Sequence, residues 1–190
     1  TFTINAPPVA RSETVDLEAD QGQPASVDFN ADDADGDPYT VAVTPDPGND
    51  GSVSGTGNTK DYNWPAAFTG TDVFPFTATD DKSGTGPTGT LTVRVRPNTT
   101  IDAAAPNGTN PVPANGFLGA TTSSDAEFEF SSPQNPVVAF DCRLLLDGNE
   151  IEGWSSCSNS STGDVELEDL DEDGLYPYQM RAINAERQAD

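Results

Sequence analysis

Strict two-residue alternation is the feature that most narrows what this chain can fold into. Leu91, Val93 and Val95 alternate with Thr92, Arg94 and Arg96, and Phe128 and Phe130 alternate with Glu127 and Glu129. Phe140, Cys142, Leu144 and Leu146 form another one-sided row, and Tyr176, Tyr178, Met180 and Ala182 alternate with Pro177, Gln179 and Arg181. Successive side chains of a strand point to opposite faces, so each row reads as a strand with one face on a core and the other in water. No long stretch keeps the 3.6-residue period of a helix, and 17 glycines and 16 prolines are scattered throughout. The expectation is an all-β chain of short strands stacked as β-sandwiches.

The last residue of the Leu91 row's strand is followed by Pro97, and Asn98–Gly116 is rich in Ala, Asn, Pro and Thr. That composition shift predicts two domains, residues 1–97 and 98–190, a size each suited to a small sandwich. Both halves are acidic: 15 carboxylates against five cations before Asn98, and 17 against three from there on, for a net charge of −24. Such a field repels phosphate backbones and anionic lipid, so nucleic acid is excluded as a partner, and no segment reaches the apolar length needed for membrane insertion. The sequence opens on Thr1 rather than Met, which reads as a processed chain or part of a longer one.

Two cysteines, Cys142 and Cys157, are the whole thiol complement, and there is no histidine. A structural metal site wants more thiolate or imidazole ligands than this. The pair reads as a disulfide made in an oxidising compartment, against the alternative of two buried free thiols.

The first domain carries Asn5-Ala6-Pro7-Pro8-Val9-Ala10 at its opening, the acidic turn Ala31-Asp32-Asp33-Ala34-Asp35-Gly36-Asp37, and Phe68-Thr69-Gly70-Thr71-Asp72-Val73-Phe74-Pro75-Phe76. Thr79-Asp80 and the strand Leu91–Val95 follow. Together these resemble the bacterial cadherin-like family of immunoglobulin folds, which occur as repeats in large surface proteins. Independently of the family, Phe74, Phe76 and Ala78 share the parity of a core row with Phe68 covering its end. Asp72 stands where a side-chain oxygen caps turn N–H groups. Pro75 departs from the pattern, and since proline cannot donate to a ladder it predicts an outward edge or a bulge.

The second domain carries Phe140, Cys142, Leu144, Asp147, Gly148, Cys157, Asp173, Gly174, Tyr176, Tyr178, Met180, Arg181 and Ala182. This is similar to a disulfide-containing bacterial immunoglobulin-like repeat, with two extra residues before Asp147-Gly148. Glu172–Tyr176 also resembles a tyrosine corner. The reading is therefore two immunoglobulin-like β-sandwich domains in tandem. The resemblance implies a final strand after Arg181-Ala182 that the second domain lacks, while Thr1–Ile4 looks like the last strand of a preceding repeat. Two explanations follow: the chain is cut from a longer one, or its Thr1–Ile4 fills the open edge of another copy, or of another surface or fibre protein, by strand addition, giving head-to-tail assembly.

Two acidic segments are candidate Ca²⁺ sites, since Ca²⁺ takes six to eight hard oxygens and closely spaced carboxylates on a glycine turn supply them. The first is Asp33, Asp35 and Asp37, and by resemblance Asp80 joins them. The second is Asp169, Asp171 and Asp173, which match the first half of an EF-hand loop but have Met180 at its twelfth position and no flanking helices. Solvated acidic turns are the alternative for both. Bound Ca²⁺ would cancel carboxylate repulsion at a domain end and stiffen it. Asn98, Asn107 and Asn159 fit the N-glycosylation pattern. Without histidine no Ser-His-Asp or Cys-His arrangement exists, so an enzyme is not expected. Trp64, Trp154 and Tyr62 are the aromatics that a glycan partner would stack on, or else core residues. The functions that follow are an extracellular or cell-surface structural or adhesive module, a virion decoration or tail-associated protein, or a carbohydrate-binding accessory module of a secreted hydrolase.

Overall fold

The structure is a computed structural model that describes residues 4–44, 46, 48–106, 125–134, 137–170 and 176–189. The chain divides into two compact units, Thr1–Val95 and Arg96–Asp190. The first contains β1 (Val9–Ala10), β2 (Glu13–Glu18), β3 (Ala25–Asp28), β4 (Ala31–Asp32), β5 (Tyr39–Val43), β6 (Ser52–Ser54), β7 (Thr59–Asn63), β8 (Gly70–Asp80) and β9 (Gly89–Arg96). One sheet runs in the order β2-β9-β8-β5 and the other β3-β7-β6, with β1 and β4 forming a short separate pair.

The period-two rows face the space between these sheets. Along β8, buried residues alternate with half-buried ones, and Phe74, Phe76 and Ala78 are at most 2% exposed. Leu91, Val93 and Val95 of β9 join them, with Val27, Phe29, Tyr62 and Trp64 from the opposite sheet and its loops. Phe29 meets Phe76 edge-on at 5.1 Å between ring centres, and Tyr62 stacks on Trp64 at 5.3 Å. Each fully buried aromatic or branched side chain stabilises by roughly 1.5–3 kcal/mol, so this one cluster is a large part of what holds the unit.

Pro75 corrects an expectation. It lies in β8, which is flanked on both sides, and not on an outward edge or bulge. The carbonyl of Pro75 accepts from Thr44 N–H at 2.8 Å, so its nitrogen also faces the β5 side. The β5 ladder ends there, at Val43 opposite Phe76, so proline's missing donor falls just beyond the last pair.

The second unit contains β10 (Thr100–Pro106), β11 (Ala126–Ser131), β12 (Val137–Leu146), β13 (Asn149–Ser158), β14 (Thr162–Leu167) and β15 (Tyr178–Asn184), in two sheets ordered β10-β11-β14 and β13-β12-β15. Phe128 and Phe130 of one sheet face Phe140, Cys142 and Ala182 of the other, and Phe130 meets Phe140 edge-on at 4.8 Å. Asp147 and Gly148 have φ of 49° and 82° and join Leu146 to its partner Asn149, a two-residue hairpin with both φ values positive. The turn therefore forms despite the two extra residues before it. Cys142 and Cys157 are disulfide-bonded with Cα atoms 5.7 Å apart. The bond joins β12 to its neighbour β13 within one sheet rather than linking the two sheets.

Candidate functional site

The acidic turn after β4 is built by Asp33. Its Oδ1 accepts from the N–H groups of Asp35 at 2.9 Å and Asp37 at 3.1 Å, and its carbonyl accepts from Gly36 N–H at 3.3 Å. Gly36 closes the turn at φ 76°, a left-handed conformation that glycine adopts without strain. Wrapping the backbone around one carboxylate brings three together: an oxygen from each of Asp33, Asp35 and Asp37 lies within 4.8 Å of the others. Asp33 Oδ2 is buried and has no hydrogen-bond partner. A buried carboxylate oxygen with no donor is costly unless a cation or water reaches it. Hard oxygen donors alone, at this spacing, fit Ca²⁺ or Mg²⁺ rather than a transition metal.

Asp80, expected to approach the same turn, is not one of the three. Its oxygens are already engaged: Oδ1 accepts from Lys82 N–H and Gly84 N–H at 2.8 Å each, and Oδ2 accepts from the Asn5 amide at 2.8 Å. Asp80 thus caps the turn that follows β8. Its carboxyl is held below the usual carboxylate range, first by the Asn5 amide and then by those two N–H groups. The segment before β1 is tied to both acidic turns, because Ala6 N–H donates to Asp35 Oδ2 at 2.7 Å beside the Asn5–Asp80 bond. Gly86 lets this segment pass, since a Cβ there would come within 1.7 Å of the Pro8 carbonyl oxygen.

Lys82, two residues after Asp80, places Nζ 2.5 Å from Asp81 Oδ1 and 3.6 Å from Asp37 Oδ1. Its pKa is raised, chiefly by the hydrogen bond to Asp81. Arg11 pairs instead with Asp32 through Nε and Nη2. Sequence reasoning missed Asn5, Ala6 and Lys82. The short Asp80-Asp81-Lys82 run was the available signal for the last.

The other candidates fall as follows. Asp169 is exposed, at φ 54°, with its N–H on Asp125 Oδ1 at 3.1 Å. Asp171 and Asp173 lie outside the described residues, as do Asn107 and residues 1–3 of the Thr1–Ile4 segment; Ile4 is 78% exposed. Asn98 is half-buried, with its N–H on Gln134 Oε1 at 2.9 Å, and Asn159 is exposed. Trp64 and Tyr62 are core residues, at 5% and 0% exposure. Trp154 carries the guanidinium of Arg181 at 4.2 Å and that of Arg143 at 4.8 Å from its ring centre. The aromatics that a sugar ring would need are thus engaged by the protein itself. Asp72 caps a loop as its sequence context implies, accepting from Asp50 N–H at 3.0 Å and Gly51 N–H at 2.7 Å.

Residues 5–95 match the family model described as bacterial Ig domain. The first unit is a bacterial Ig domain. The match spans this Ig domain from Asn5, which holds Asp80, to Val95 in β9, and the second unit is an all-β unit of two three-stranded sheets. No curated protein matches the sequence. Among solved structures, the chain is similar to human protocadherin-24 EC1-2 at 13% identity, covering 89% of this chain and 100% of that one with a TM-score of 0.39. It is similar to Drosophila N-cadherin EC1-4 at 11% identity, covering 98% and 48% with a TM-score of 0.41. The D00-D0 domain of intimin is 10% identical, with 92% and 90% covered and a TM-score of 0.32. Similarity at this level carries neither activity nor partner. No helix among the described residues is long and apolar enough to cross a membrane.

Proposed function

We propose that the chain is a non-enzymatic structural or adhesive module of the cell exterior, in which Ca²⁺ at the Asp33–Asp37 turn locks one end of the bacterial Ig domain. The observation that carries the reading is the trio of carboxylate oxygens within 4.8 Å, one of whose carboxylates keeps a buried oxygen without a donor. Asp33, Asp35 and Asp37 would hold the ion, and water or backbone carbonyls would complete its shell. Because Asp35 also accepts from Ala6 N–H, an ion there fixes the segment that enters the domain as well as the turn. The disulfide and the acidic surface suit an oxidising medium rich in cations.

The test is thermal unfolding and calorimetric titration with CaCl₂, beside an Asp33→Asn variant. Millimolar or tighter binding that raises the melting temperature of the wild type and is lost in the variant supports the reading. Identical melting in CaCl₂ and EDTA would sink it.

Assembly by strand addition belongs to the same reading. On the outer side of β15, the described residues supply only a bridge from Ala189 to Ile183 and the Thr99 hydroxyl, which accepts from Ala182 N–H at 2.8 Å. An edge this sparsely covered suits an added strand such as Thr1–Ile4 of another copy. Deleting residues 1–4 leaves Asn5 in place and should abolish any self-association seen by sedimentation. Unchanged association rejects strand addition and leaves the Ca²⁺ reading intact.

A further inference from the structure

We infer that Lys82 is a tethered competitor for the cation site: its ammonium stands in for a divalent ion at Asp37 and yields when the ion binds. The inference rests on the Ca²⁺ reading above and adds a control to it. Lys82 Nζ lies 3.6 Å from Asp37 Oδ1, and Asp37 is one of the three converging carboxylates. The trio therefore already has one positive charge beside it, while the buried Asp33 Oδ2 on the same turn stays without a donor. A single ammonium offsets only part of three negative charges and does not reach that orphaned oxygen.

The arrangement around Lys82 permits an exchange. Its backbone is fixed, because its N–H is held by Asp80 Oδ1 and Asp80 N–H donates to the Gly84 carbonyl at 3.0 Å. Its side chain is 55% exposed, on a flexible four-carbon stem. Asp81 offers the ammonium a second carboxylate at 2.5 Å, outside the trio. Lys82 can thus release Asp37 without losing its remaining ion pair. Arg11 does not take its place, being committed to Asp32 with Glu13 at its margin. A divalent ion and an ammonium a few ångströms apart repel each other, so binding the ion favours the swing away, and the ammonium in turn weakens ion binding. The result is a lowered affinity suited to a medium where Ca²⁺ is abundant.

The experiment is calorimetric titration of CaCl₂ into the full chain at low ionic strength, with melting curves in EDTA and in saturating CaCl₂, for the wild type, Lys82→Gln and Lys82→Arg. Removing the charge should tighten Ca²⁺ binding about fivefold, the scale of an exposed charge pair, while Arg should leave it near the wild-type value. Lys82→Gln should also melt below the wild type in EDTA, and that deficit should vanish in saturating CaCl₂. Equal affinities for wild type and Lys82→Gln overturn the competitor role and leave the site standing. Neither heat nor a CaCl₂-dependent melting shift in any of the three removes the site and the inference together.

Discussion

Asp72 is a carboxylate buried in the first domain, at 1% exposure. A buried carboxylate survives only if its charge is answered by donors. Here three answer it: Gly51 N–H, Asp50 N–H, and Tyr62 Oη at 2.8 Å. Tyr62 stays protonated well above the ordinary phenol range, through burial first and the hydrogen bond to Asp72 second. Tyr62→Phe removes one charge-assisted bond and keeps the ring in the core, so it should cost about 1.5–3 kcal/mol in urea unfolding; no measurable cost would show that the backbone donors suffice. Asp80 supplies a second residue-level test. Its carboxyl titrates below the usual range in the folded state, so the stability it contributes is present at neutral pH and is lost as pH falls below the ordinary carboxylate range. Asn5→Ala removes the largest cause of that shift. The Asp80 carboxyl resonance should then titrate at higher pH, and the acid-side loss of stability should become smaller. Asp72 was readable in advance because its neighbours Gly70 and Phe74 fix its place in a local pattern. Asn5 was not, because its partner Asp80 stands 75 residues away, and the Asp80-Asp81-Lys82 run signalled an ion pair with Asp81 but not the approach of Lys82 to Asp37, which the fold defines.

At the level of strands, the apolar rows announced themselves, since alternation is a local property. Register is not, and register decides which charges meet. Glu129 lies directly opposite Asp164, and Glu127 opposite Glu166, across β11 and β14. All four are exposed on the outer face of that sheet. Like charges facing each other destabilise a pair of strands, whereas an opposite-charge pair contributes roughly 0.2–1 kcal/mol. Glu129→Lys should therefore raise the stability of the second unit by about 0.5–1 kcal/mol in dilute buffer. The gain should shrink near 1 M salt, where the screening length is only about 3 Å. A gain that ignores salt would mean that packing, not charge, is responsible. Trp154 teaches the same lesson. Its contact with both Arg143 and Arg181 depends on how β13 and β15 flank β12, so the sequence offered it as a sugar platform and the sheet made it a partner for guanidinium groups. The Asp33–Asp37 turn was legible because five consecutive residues make it. Asp80 was assigned to it by resemblance, and the hydrogen bonds that occupy its oxygens have no signature in the sequence.

On the scale of the whole chain, the acidic turn and the disulfide fall in different compact units. The acidic turn is in Thr1–Val95 and the disulfide is in Arg96–Asp190. If each unit has its own core, each should melt as its own cooperative transition, and each treatment should move only one of them. A disulfide closing a loop of this length is worth about 3 kcal/mol in the chain-entropy model, which in a unit of this size corresponds to roughly 10–20 °C. Scanning calorimetry in CaCl₂ should therefore show two transitions. Adding a reductant, or replacing Cys142 and Cys157 with serine, should lower one by that amount and leave the other in place. Replacing CaCl₂ with EDTA should lower the other and spare the first. A single transition that both treatments shift together would mean that the units unfold as one body, and the division near Pro97 would then be a boundary of composition rather than of stability.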